Sequence, residues 1–183
     1  KIATRPVSLV SLAYKELKKC LGNQPKNIMV VGAGKTITSL LKFLSKTNQH
    51  NYIIYNRSLS KANEINDLLN LNAKVCSIDT IGNNPVDFDI IISATASKEP
   101  ILDNEKYALI NPNNSKTTIV DLAVPKDFHH EMSLNNNIRT INVDQLKERA
   151  DENLKLREKE IKNCLKIIDD QIVEYNLFQK ERK

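Results

Sequence analysis

The apolar run Ile28-Met29-Val30-Val31 ends in Gly32-Ala33-Gly34, and a second apolar run, Tyr52 to Tyr55, ends in Asn56-Arg57-Ser58. A strand that runs into a Gly-x-Gly turn lets backbone approach a pyrophosphate and aims the N-terminus of the next helix at it. The residue after the second strand then discriminates between ligands. An Asp or Glu there bonds a ribose 2′-hydroxyl, whereas a cation accommodates a 2′-phosphate. Arg57 stands at that place, and no acid occurs between Tyr52 and Ser58. The planar guanidinium fork suits phosphate oxygens. The two segments together read as a site for NADPH in preference to NADH.

The full turn is Gly32-Ala33-Gly34-Lys35-Thr36-Ile37, with Ile37 where a third glycine is usual. That glycine mainly serves close packing of helix on strand, so its loss costs less than losing Gly32 or Gly34. Gly34-Lys35-Thr36 imitates the end of a P-loop, but the glycine such a loop needs five positions earlier is Met29, inside the strand. A nucleoside-triphosphatase reading is therefore rejected. Lys35 reads either as a phosphate contact or as an exposed lysine. Two later segments, Ser93-Ala94-Thr95-Ala96-Ser97 and Asp121-Leu122-Ala123-Val124-Pro125, each follow an apolar strand. Small residues at such strand ends leave room for a ligand, which adds Ala94, Thr95, Ala96, Asp121 and Ala123 to the candidates. Asp121 reads either as an orienting group for a cofactor or substrate amide, or as a carboxylate that holds a turn.

These segments need a scaffold of strands alternating with helices. Helices are expected at Pro6–Cys20, at 36–46 and after Ser58, which is placed to cap the third of them. Strands are expected at 28–32, Tyr52–Tyr55, Lys74–Ile78, Asp89–Ala94, Thr117–Ala123 and Ile138–Val143. This alternation predicts an α/β fold with a doubly wound parallel sheet, a Rossmann-type domain over residues 1–143. From Asp144 onward the chain has no Gly or Pro. Leu154, Ile161, Leu165, Ile168, Ile172 and Tyr175 recur at near-heptad spacing, and Asp151–Lys155 and Glu158–Lys162 are acid-first i,i+4 pairs. Residues 144–183 are thus expected to form one long helix. At 1.5 Å per residue it is a rod of roughly 50 Å. One small domain cannot cover such a rod, so part of the stripe must meet another domain or another chain.

The 183 residues, 40% hydrophobic and 27% charged, suit one soluble domain with an appendage. No apolar stretch approaches the roughly 20 residues that span a bilayer, and Lys1-Ile2-Ala3-Thr4 does not open a signal peptide. Cys20, Cys76 and Cys164 are odd in number and far apart, which argues for a reducing compartment, and a cytoplasmic location is expected. No pair has metal-ligand spacing. His50, His129 and His130 read as loop residues without partners at telling spacing, and no catalytic acid, base or nucleophile stands out. The net charge of +5 permits an anionic partner without demanding one.

These residues together resemble the NADPH-binding domain and following helix of the glutamyl-tRNA reductases. The resemblance runs through Val7-Ser8-Leu9-Val10-Ser11, Val31-Gly32-Ala33-Gly34, Asn56-Arg57-Ser58 and Ile92-Ser93-Ala94-Thr95-Ala96 with Pro100-Ile101. It continues through Asp121-Leu122-Ala123-Val124-Pro125-Lys126-Asp127, Asp144-Gln145-Leu146 and Glu152-Asn153-Leu154-Lys155-Leu156-Arg157. Asp-Leu-Ala-Val-Pro joined to Glu-Asn-Leu-x-x-Arg on a long helix is far more specific than a glycine turn. Ile37 departs from the family's usual glycine. The resemblance implies three parts in the whole protein: a catalytic domain with a nucleophilic cysteine, this NADPH domain, and a dimerisation domain reached by a long spinal helix. It implies reduction of glutamyl-tRNA to glutamate-1-semialdehyde, the first step of five-carbon tetrapyrrole (haem) biosynthesis. The route is a cysteine thioester followed by hydride transfer. It further implies a homodimer at full length and an aminomutase, the next pathway enzyme, as a partner, with no membrane. By this reading the chain is a fragment that binds NADPH and is inactive alone. The rival expectations are a shikimate dehydrogenase-like NADP oxidoreductase and a non-catalytic NADP-sensing or scaffold module.

Overall fold

The computed structural model describes residues 8–46, 50–83 and 85–181. Pro6 and Val7, with which the first expected helix begins, lie outside them. The chain separates into two compact units, one of Val7–Leu146 and one that includes Lys147–Lys183.

The first unit is built on six parallel strands: β1 (Asn27–Val31), β2 (Asn51–Asn56), β3 (Lys74–Ser77), β4 (Ile90–Ser93), β5 (Thr117–Asp121) and β6 (Ile138–Asn142). Their order across the sheet is β3-β2-β1-β4-β5-β6, with Ile28 in register with both Tyr52 and Ile90. The chain order reverses between β1 and β4, the switch point at which α/β sheets open a crevice. Among the described residues its α-helices before the last strand are α1 (Leu9–Leu21), α2 (Lys35–Leu44), α3 (Leu59–Leu69) and α4 (Asn104–Ile110). The doubly wound parallel sheet expected from the sequence is thus present, followed by the long helix α5 (Val143–Glu181).

Strand side chains alternate between faces. Met29, Val31, Ile91, Ile119 and Ile138 gather with Tyr107 and Ile110 of α4 in one core. Arg139, one residue past Ile138, faces the other way; its guanidinium meets the Glu16 carboxylate of α1 at 3.4 Å. Helix α1 therefore lies over the second face, and α2 packs on it with Tyr14 stacked on Phe43. Ile28, Val30, Ile90 and Ile92 are buried as completely as their neighbours, as a sheet covered on both faces requires.

Local chemistry sets the helix ends. Ser8, Ser58 and Asp103 cap α1, α3 and α4 with side-chain oxygens that accept from Ser11, Lys61 and Lys106 N–H. Gly22 ends α1 at φ 59°, a conformation most L side chains avoid. Helix α4 was not expected from the sequence: seven residues are too few to display a helical period.

In α5 the residues of the expected stripe, Leu154, Ile161, Leu165, Ile168, Ile172 and Tyr175, are 40–63% exposed. Among the described residues no helix is long and apolar enough to cross a membrane.

Ile91, central in β4 and fully buried, carries much of the sheet core. Ile91→Ala is expected to cost about 2–5 kcal/mol of stability, by lost burial and a residual cavity. A urea unfolding midpoint shifted accordingly, at unchanged slope, checks this.

Candidate dinucleotide site

The carboxyl ends of β1, β2, β4 and β5 are knitted together beyond the strands themselves. Gly32 N–H donates to Tyr55 O at 2.8 Å, Ala94 N–H to Val31 O at 3.2 Å, and Leu122 N–H to Ser93 O at 2.8 Å. Gly32 sits at φ 104°. A Cβ there would meet Ala94 O at 3.0 Å and Thr95 Cγ2 at 3.3 Å, so glycine is required on two counts. Gly34 differs. Its φ of −89° suits any residue, yet a Cβ there would point into open space. What Gly34 leaves free is room above the first turn of α2.

That turn has no side-chain cap. Thr38 N–H bonds back to Gly34 O at 3.0 Å, whereas the N–H groups of Lys35, Thr36 and Ile37 precede the intrahelical ladder and have no partner among the described residues. They present donors and the positive end of the helix dipole to any anion lying over Gly34.

A cleft of about 430 Å³ opens here. Gly32, Ala33, Gly34, Asn56, Arg57, Ser58, Ala94, Thr95 and Ala96 line it, so nine of the sequence candidates meet in one place. Arg57 is exposed and makes no hydrogen bond or ion pair among the described residues, which leaves its guanidinium free for a ligand. Asn56 serves the backbone: its amide donates to Ser58 O at 2.8 Å. Ser58 accepts from Lys61 N–H at 3.5 Å, which places the Lys61 ammonium stem on the same wall. Lys61 was missed from sequence, although its position in the first turn after Ser58 gave the signal.

The other candidates lie apart from the cleft. Lys35 faces a neighbouring groove with Lys42 and Lys61. Thr36 does not line the cleft through its side chain. Ile37 is fully buried, so the absent third glycine is replaced by a core residue that leaves the cleft open. Ala123 is buried. Asp121 is buried too, and takes the structural of its two readings: it accepts from Ala123 N–H at 3.0 Å, Asp127 N–H at 3.0 Å and Phe128 N–H at 3.3 Å. Burial pushes its carboxyl up to about 6; those backbone donors pull the other way, and the nearby Asp127 charge adds to the rise.

The sequence also gave no hint of what Asp127 does. It is 1% exposed, and its carboxylate accepts from Ser93 Oγ, from Thr95 N–H at 2.9 Å and from Thr95 Oγ1 at 2.5 Å. The histidines keep to loops or their edges. His50 precedes β2 and accepts from Lys26 N–H at 3.2 Å through Nδ1, and His129 and His130 lie ring against ring. Hollows of about 600 Å³ occur beside α4 and near His50, but neither contains a helix N-terminus of this kind or a strand carboxyl end.

A six-stranded parallel sheet in this order, with a glycine turn at its switch point, defines a Rossmann-type domain. The chain belongs to the shikimate / quinate 5-dehydrogenase family, whose model matches residues 11–149. Curated relatives of the chain include glutamyl-tRNA reductases. That of Rhodopirellula baltica is 29% identical over 93% of this chain and 41% of its own length. The solved glutamyl-tRNA reductase of Methanopyrus kandleri superposes with a TM-score of 0.74 at 26% identity, covering 92% of this chain and 43% of that one. A shikimate dehydrogenase solved in complex with NADP+ gives 0.54 at 25% identity, covering 75% of this chain and 50% of that one. The chain thus spans about two fifths of the length of the curated relatives it matches. The resemblance to glutamyl-tRNA reductases read from the sequence is borne out.

The Asp121 carboxyl is expected to titrate with a midpoint of about 6, against 3.8 when unstructured. Its folded value is the higher, so the stability it contributes is complete below 3.8 and lost as pH rises through about 6. Carboxyl carbon shifts in an NMR titration check this; a midpoint near 4 contradicts it.

Proposed function

We propose that the chain is the NADPH-binding part of a glutamyl-tRNA reductase. The observation that carries the reading is the convergence, in one cleft, of a helix N-terminus without a side-chain cap over Gly34 and an exposed Arg57 that has no partner among the described residues, just past β2. The cleft fits the cofactor on its own terms. Gly34 leaves the space that a pyrophosphate needs, and the N–H groups of Lys35, Thr36 and Ile37 face it. Arg57, with Lys61 beside it, supplies charge for a 2′-phosphate. Asn56 and Ser58 hold the strand end from which Arg57 projects.

When bound, the cofactor supplies a hydride. This chain's residues bind and orient it. In this reading a cysteine thioester formed from glutamyl-tRNA, a homodimer and an aminomutase partner are features of the whole protein and are not assigned to these residues. The chain alone is therefore inactive in this reading, and a cytoplasmic setting accords with its unpaired cysteines. The family match keeps a shikimate dehydrogenase-like activity as the second reading. Against it stands the extent of the likeness, which for the reductases covers nearly the whole chain. Shikimate oxidation by the whole protein, with no turnover of glutamyl-tRNA, would favour that second reading. A whole protein that binds NADPH but turns over neither substrate would favour a sensing or scaffold module.

Calorimetric titration tests the cofactor assignment. NADPH is expected to bind more tightly than NADH. Arg57→Ala is expected to weaken NADPH roughly ten- to a hundredfold, through loss of a charge-assisted bond of about 1.5–3 kcal/mol, and to leave NADH unchanged. Equal affinity for both cofactors in the parent chain would refute the role given to Arg57. Gly34→Ala is expected to alter stability by no more than about 1 kcal/mol, since its φ suits alanine, while lowering NADPH affinity at least roughly tenfold by filling the space above α2. Thermal unfolding and titration of the same sample separate these two effects.

A further inference from the structure

Asp127 does not line the cleft, yet one wall of the cleft hangs from it. Its carboxylate receives Ser93 Oγ, Thr95 Oγ1 and Thr95 N–H, all from the end of β4 and the loop that follows. Thr95 Oγ1 in turn accepts from Ser97 N–H at 3.1 Å. One buried carboxylate thus fixes the backbone from Ser93 to Ser97. Ala94, Thr95, Ala96 and Ser97 of that segment form the wall across the switch point from Arg57. Asp127 is itself held, because its own N–H donates to Asp121.

This inference rests on the proposed cofactor reading. If the 2′-phosphate lies at Arg57 and the pyrophosphate over Gly34, the remaining half of the dinucleotide extends across the switch point to the end of β4. The segment it meets there is Ala94–Ser97. We propose that Asp127 is a positioning residue for the nicotinamide half of the cofactor: it holds the Ser93–Ser97 wall in the shape that half binds, without touching the cofactor. The adenosine half is held by β2 and α2 and does not depend on it. A wall fixed before binding spares the ordering cost that a loose loop would levy on affinity.

The test compares two ligands. NADPH has both halves, whereas adenosine 2′,5′-bisphosphate carries the 2′-phosphate and no nicotinamide. Both are titrated calorimetrically into the parent chain, Asp127→Ala and Thr95→Val. Thr95→Val keeps the β-branched shape and removes the hydroxyl bonds to Asp127 and from Ser97. Asp127→Ala is expected to weaken NADPH roughly tenfold or more, while affinity for the bisphosphate stays within about twofold. Thr95→Val shows the same selectivity in smaller degree and decides the matter if Asp127→Ala does not fold. Asp127→Asn, which keeps an acceptor for Thr95 N–H, recovers most of the NADPH affinity. Equal loss for both ligands, or no loss of NADPH affinity in either variant, overturns the positioning role while leaving the cofactor reading intact. A parent chain that binds neither ligand overturns both.

Discussion

The contact between Gly32 and Ala94 O is the constraint on which the site depends. Two parallel strands, β1 and β4, run side by side and then must part, one into α2 and one into the Ala94–Ser97 loop. The backbone turns at Gly32 with φ at 104°, and it passes so near Ala94 that a Cβ would stand 3.0 Å from the carbonyl oxygen. A residue without a side chain satisfies both conditions at once. The helix then starts immediately at Lys35, with its first N–H groups uncapped, beside the place where the strand order reverses. The crevice, the anion-seeking helix end and the small volume of the turn all follow from that single close approach.

A second tier of order lies behind the cleft and is electrostatic. Asp121 closes the turn after β5 by accepting three backbone N–H groups, and one of these belongs to Asp127. Asp127 closes the loop after β4 in the same manner, with hydroxyl and backbone donors. Two buried carboxylates in series thus tie adjacent strand ends together. The arrangement has a cost, visible in the raised Asp121 carboxyl, because burial and the neighbouring Asp127 charge outweigh the donors. Rigid placement of the cleft wall is what the arrangement gains.

Much of this was legible in the sequence. The strands announce themselves because a sheet covered on both faces needs uninterrupted apolar runs, as in Ile90-Ile91-Ile92. Gly32, Gly34 and Arg57, singled out by type and spacing, do come together along one cleft. Residues that touch the cleft and residues that build it share the same local pattern in the sequence. Asp121 and Ala123 stand at the end of β5 much as Ala94 and Thr95 stand just past β4, yet they are buried. Asp127 acts on partners more than 30 positions away in the chain, a relation that no local pattern records. Ile37 shows the converse: an apparent defect in a motif proves to be a core residue, fully buried and off the cleft. Helix α4 escaped because its seven residues depend on the Asp103 cap and the Tyr107 and Ile110 anchors instead of a periodic pattern.

The likeness to glutamyl-tRNA reductases covers two fifths of their length, and the apolar stripe of α5 is exposed. Backbone amide resonances of the isotopically labelled chain, followed as NADPH is added, test the cleft most sharply. The largest shifts are expected at Gly34, Lys35, Thr36, Arg57 and Thr95, around the carboxyl ends of β1, β2 and β4. Shifts confined to the opposite end of the sheet, around His50 and Asn70, or spread evenly along α5, would contradict it.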